Sequence, residues 1–121
     1  MRLLASFHGV YYSITGLWPV VDIDSFQAVT GSKTDLWLVK TVGLLIAVIG
    51  AAIFRARNRP ALFPEMLILA AGSALALGTV DVLYSLRGVI SKVYLLDAPV
   101  EAALAASWSV VWARQRRTVT P

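Results

Sequence analysis

"LWLVKTVGLLIAVIGAAIF", residues Leu36–Phe54, decides the fold. Apart from Lys40 and Thr41 it holds almost nothing polar, and it has the roughly 20-residue length that a helix needs to cross a bilayer. Three further stretches read the same way: about 3–21, 62–86 and 93–113. Together the four occupy most of the 121 residues, which leaves no room for a separate soluble domain. Residues 1–121 are therefore expected to form one domain, an all-α integral membrane bundle of four antiparallel helices.

The composition agrees. Hydrophobic residues make up 58% and charged residues 15%, against about 45–50% and 25% in soluble domains. The mean hydropathy is +0.72. The first stretch has only Arg2 as a basic flank. Trp18, Pro19 and Asp22 stand where a signal peptide would place small residues, so it is expected to stay as a true span.

There are no cysteines. That excludes disulfides, thiolate nucleophiles and Cys-based metal sites. The net charge of +4 is not a nucleic-acid signature, because the basic residues gather at segment ends. Arg2, Arg55, Arg57, Arg59, Arg114, Arg116 and Arg117 fall on one side of a four-span chain. Lys33, Arg87 and Lys92 fall on the other. This bias predicts both termini and the "RARNRP" link on the cytoplasmic side. The arginine clusters "RARNRP" and "RQRR" read first as topology determinants and second as an anionic-lipid site.

The longest connection is the outer loop "DIDSFQAVTGSKTD" (Asp22–Asp35). Asp24 with Gln27 reads as a capping box, and Gly31 can end a short helix in a left-handed conformation. One or two helical turns are expected there, lying at the membrane surface. Thr34 or Asp35 can cap the second span. Small residues mark packing faces: Gly43, Ala47 and Gly50 in the second span, Ala70, Ala74 and Gly78 in the third, Ala102, Ala106 and Ser109 in the fourth.

Polar side chains inside the spans raise the question of function. His8, Tyr11, Tyr12, Thr15 and Trp18 return to one helical face. They form a stripe that faces protein or a cavity, where they hydrogen-bond other helices or wall a ligand pocket. Charges are costly at about 2.5–3.5 kcal/mol each near a span's centre. Lys40 continues the Gly43–Ala47 stripe and Asp81 continues the Ala74–Gly78 stripe, so a Lys40–Asp81 ion pair is expected. Asp97 and Glu101 lie four apart on one face, which Trp108 and Trp112 continue. If the fourth helix starts at Asp97, that residue is an N-cap and Glu101 complements the helix dipole. If it starts near Ser91, both acids are interior and Pro99 makes a kink. Glu65 complements the third span's N-terminus.

Lys40, Asp81, Asp97, Glu101, Tyr84, Tyr12 and Thr15 would thus line a polar cavity in the outer half, with His8 deeper in its wall. No phosphate loop, HExxH, GxSxG or Cys–His set is present. No catalytic residue, metal ligand or cofactor is assigned. "VTGSKTDLWLVKTVG" (Val29–Gly43), with Trp18–Pro19 before it and "DVLYSLRGVISKVYLLDA" (Asp81–Ala98) after it, resembles a group of small four-span bacterial membrane proteins. The resemblance implies the same four-span fold, in a bacterial cytoplasmic membrane, and brings no activity with it. In outline the chain is also similar to the sterol-isomerase and sigma-2-receptor group, by fold-level analogy alone.

The leading expectation is a membrane protein that binds a lipid-like or small amphipathic ligand in that cavity. A proton-coupled small-solute transporter, with Asp97 and Glu101 sharing a proton, is the second. It requires a water path across both halves. A non-catalytic subunit or assembly factor of a larger membrane complex, or a homo-oligomer, is the third. It requires small-residue stripes left on the outside of the monomer. An enzyme using His8 or Glu101 as acid–base ranks last. Membrane lipids are the expected surroundings, and no nucleic acid is expected.

Overall fold

Every regular element among residues 1–119, which the computed structural model describes, is helical. Five α-helices follow in order: α1 (Arg2–Val21), α2 (Ile23–Thr30), α3 (Leu36–Arg55), α4 (Phe63–Leu86) and α5 (Asp97–Val119). Short 3-10 turns link α3 to α4 (Ala56–Asn58 and Pro60–Leu62) and lead into α5 (Lys92–Leu96). Two segments, Leu36–Asn58 and Pro60–Leu86, are long and apolar enough to cross a membrane. α1 and α5 have the length, but their polar residues dilute the apolar run.

The closest packing is between α1 and α3. Glycines seven residues apart make it possible, since that spacing returns to the same helix face. Gly9 faces Gly50 and Gly16 faces Gly43, so the two helices run antiparallel. A Cβ added at Gly9 would lie 2.7 Å from the Gly50 carbonyl oxygen, and one at Gly16 would lie 2.5 Å from that of Gly43. Both are closer than any real side chain tolerates. Gly43 and Gly50 were legible as a packing stripe. Their partners Gly9 and Gly16 were hidden among the polar residues of α1.

α4 and α5 form the second close pair. The two pairs meet through two apolar clusters. One joins Ala5, Ile53, Ala56, Phe63, Met66, Ala70 and Trp108. The other joins Tyr12, Ala74, Leu104 and Ala105. With neighbouring long helices antiparallel, Arg2, the Arg55–Arg59 link and Arg114–Arg117 collect at one end. The Ala102–Ala106–Ser109 stripe was expected to pack inward and does not. All three are exposed, and α5 instead buries Glu101, Leu104, Ala105 and Trp108. Large and polar groups occupy the inner face because α1 offers hydrogen-bond partners there.

α2 forms where a short helix was expected, but its cap is Asp22 rather than Asp24. Asp22 leaves α1 in an extended conformation (φ −145°, ψ 82°), and its carboxylate accepts the Ser25 N–H at 3.2 Å. Asp24 sits in the first turn. Gln27 does not cap either; its side-chain oxygen accepts the Lys33 N–H at 2.9 Å. Gly31 ends the helix at φ +96°, as its freedom from a Cβ allows. Asp35 stands at the start of α3 in a left-handed conformation without a side-chain cap bond. Asp22→Ala removes the α2 cap and should destabilise α2 locally by about 1 kcal/mol. Faster amide exchange confined to α2 would register this; unchanged exchange would show the cap to be inert.

Candidate functional site

α1 turns its polar stripe onto α5. The Tyr12 hydroxyl donates to Glu101 Oε2 at 2.6 Å, and the Tyr11 hydroxyl donates to Asp97 Oδ1. Two successive residues on α1 meet two residues one turn apart on α5, because helix–helix contact spans a face rather than a line. One turn further in, Trp108 Nε1 donates to His8 Nδ1 at 3.0 Å. His8, Tyr12, Glu101 and Trp108 are all buried.

Asp81 of α4 completes the group. Its carboxyl group lies near those of Asp97 and Glu101. Asp81 is 5% exposed and Glu101 1%, while Asp97 is only partly buried and reaches the surface. The three acids form one cluster. Among the described residues, no three potential ligands converge as a metal ion would require. Asp81 Oδ2 is buried and has no hydrogen-bond partner, and neither has His8 Nε2. Buried polar atoms are paired in the great majority of cases, so each of these orphans is informative.

His8 is fixed by its surroundings. Its Nδ1 accepts from an indole, which can only donate, so the ring proton resides on Nε2. The indole cannot pass a proton onward. The ring also stands edge-to-face with Tyr12, at 4.2 Å between centroids. His8 is thus a fully buried acceptor of the Trp108 indole, one turn away from the acid cluster.

A groove of about 560 Å³ runs between α4 and α5, and of the three acids Glu101 lines it. Its lining includes Ala74, Gly78, Val82, Arg87, Ala98 and Glu101. The fit is close at Gly78, where a Cβ would approach the Glu101 Cβ to 3.2 Å and press it aside by a few tenths of an ångström. The walls are mostly apolar, with Glu101 behind them and Arg87 at the end of α4.

The start of α5 resolves the two expectations for the acids. Ser91 caps the 3-10 turn by accepting the Val93 N–H, and α5 proper begins at Asp97. Pro99 falls in the first turn, where its missing N–H is harmless, so no kink is needed. Yet Asp97 and Glu101 are not mere terminus residues, since both accept tyrosine hydroxyls from α1.

The other expected site residues part company. Lys40 makes no ion pair with Asp81, whose Oδ2 is orphaned. α3 lies chiefly against α1, and α1 presents tyrosines, not a cation, to the acids. Thr15 donates to its own helix at the Tyr11 carbonyl. Tyr84 is exposed. Trp18 leaves the site and binds Ser25 Oγ at 2.8 Å. Trp112 is exposed too, so the aromatic continuation of the acid face ends at Trp108. Tyr11 is the residue to add to the site. It lay on the polar stripe, and nothing in the sequence separated its role from that of Thr15. No family model, curated protein or solved structure matches this chain.

Proposed function

We propose that this chain is a four-span integral membrane protein that binds a small amphipathic ligand at the Asp81–Asp97–Glu101 cluster. The spans are α1, α3, α4 and α5, with both termini cytoplasmic and α2 at the outer surface. The two most apolar segments support this, because only 17% and 22% of their apolar windows is covered by protein. A soluble protein does not leave apolar surface on that scale in water. α1 supports it in a different way. Leu3, Phe7, Val10, Ile14, Leu17 and Val21 are all exposed and recur at three- and four-residue intervals along one face. Its polar groups face the opposite way, inward, so α1 presents lipid with an apolar surface despite its composition. The arginines at one end support the orientation with both termini cytoplasmic.

The observation that carries the binding reading is the orphaned Asp81 Oδ2 within an acid cluster that holds no basic residue. A ligand with a donor head, amine or hydroxyl, would satisfy that oxygen. Its apolar part would lie in the α4–α5 groove. Native mass spectrometry of the gently extracted protein is the test. A small molecule of defined mass should be retained by the parent and lost from Asp81→Asn, with helix content and thermal stability preserved. A bare parent chain, or equal retention by Asp81→Asn, would overturn the reading.

A second reading is an assembly role, as a homo-oligomer or a subunit of a larger complex. The exposed Ala102–Ala106–Ser109 stripe on α5 favours it, since such faces let membrane helices approach closely. The same spectra separate the readings, because they report partner or self-association masses directly. Transport is favoured less. Toward the arginine end the acid cluster is followed by His8, bonded to Trp108, and then by the apolar core around Ile53, Phe63 and Met66.

A further inference from the structure

A second groove, of about 490 Å³, lies on the opposite side of the molecule between α1 and α3, at the arginine end. Its size is in the range of small-molecule sites. Gly9, Val10, Ile14 and Ala51 are among its walls, and Arg55 and Arg57 stand at one end. It exists because of the glycine crossing. Gly9 brings the α1 backbone onto α3, and a Cβ there would come within 2.6 Å of Phe54 Cβ. Val10 and Ile14 rise beside that crossing, while Ala51 is too small to fill the space.

The Arg57 guanidinium is pinned at this end. It donates to the Phe54 carbonyl oxygen at 2.9 Å and lies 4.0 Å from the centroid of the Phe54 ring. Only one of its five N–H donors is used in that bond. Arg55, at the end of α3, is exposed. Among the described residues, neither arginine is in an ion pair. A planar guanidinium fork of this kind suits phosphate oxygens.

We infer that this groove binds one acidic phospholipid, with Arg55 and Arg57 holding the headgroup phosphate and the wall from Gly9 to Ile14 bedding an acyl chain. The inference rests on the membrane reading above and concerns a site separate from the acid cluster. Charge complementarity selects an acidic lipid, and the apolar wall on the lipid-facing side of α1 selects a lipid over a soluble phosphate. The expected orientation places this end in the cytoplasmic leaflet, where basic residues meet anionic headgroups.

The test is native mass spectrometry from mixed micelles containing equal phosphatidylglycerol and phosphatidylcholine, with glycerol phosphate added in a parallel sample. The parent should retain phosphatidylglycerol in preference, and Arg55→Gln with Arg57→Gln should reduce that preference about thirtyfold. Arg59→Gln, outside the groove, should leave most of it. Ala51→Trp fills the groove at an exposed position and should lower retention with both arginines intact. Equal losses from Arg59→Gln and the double variant would reduce the effect to net charge and overturn the site. So would full retention in Ala51→Trp, or displacement of the lipid by glycerol phosphate alone. Lipid retained without headgroup preference sinks this site only. A chain that stays soluble without detergent and retains no lipid sinks the membrane reading itself.

Discussion

Gly43→Ala should lower stability by about 2–3 kcal/mol, at the upper end of what overpacking costs. The added methyl would run into the Gly16 carbonyl oxygen and would also lie 2.9 Å from Pro19 Cγ. Neither can yield easily. The first is backbone of a facing helix, and the second is a ring held within α1. The helices must separate, and the matching Gly9–Gly50 contact one repeat away would loosen with them. Gly72→Ala is the control. Nothing lies within 4 Å of a Cβ at Gly72, so only helix propensity changes, in alanine's favour by up to about 1 kcal/mol. Thermal or denaturant unfolding in micelles should rank the three proteins Gly72→Ala, parent, Gly43→Ala. A Gly43→Ala variant as stable as the parent would mean that α1 and α3 do not touch backbone to backbone.

Trp108→Ala should cost about 3–5 kcal/mol, as for other large-to-small changes in packed interiors. Trp108 is fully buried among Ala5, Phe63, Met66 and Ala70. Its indole also supplies the bond that His8 accepts. Two effects are mixed in that loss, and Trp108→Phe separates them. Phenylalanine keeps most of the bulk and removes the N–H. Hydrogen bonds between membrane helices average only about 0.6 kcal/mol, so Trp108→Phe should recover most of the stability. If it unfolds as readily as Trp108→Ala, the His8 bond outweighs packing. In that case the orphaned His8 Nε2 would mark a polar network worth more than its single visible bond.

How much of this was legible beforehand depends on what each residue's role requires. Helix content follows from runs of apolar residues with helical spacing, and it was plain. The inward direction of the α1 stripe also follows, because His8, Tyr11, Tyr12 and Trp18 share one face and lipid would not accept them. Which partner each finds does not follow. Tyr11 and Thr15 look alike on that face, yet one reaches Asp97 and the other bonds its own backbone. The Lys40–Asp81 pairing failed for the same reason. Small-residue stripes say that a helix has a close neighbour and do not say which. Gly43 and Gly50 meet α1, so Lys40 on the same face is turned away from the acids.

The sequence by itself determined an all-helical chain, its short helix before α3, and the gathering of arginines at segment ends. These depend on local spacing and charge, which are written residue by residue. Only the tertiary structure decided that α1 lies against α5 through two tyrosines, that Asp97 and Glu101 accept their hydroxyls, and that α5 turns its small residues outward. Those outcomes depend on which faces meet. Several pairings of four helices satisfy the same apolar pattern, and the choice among them rests on close glycine contacts and a few hydrogen bonds between residues as many as 100 positions apart.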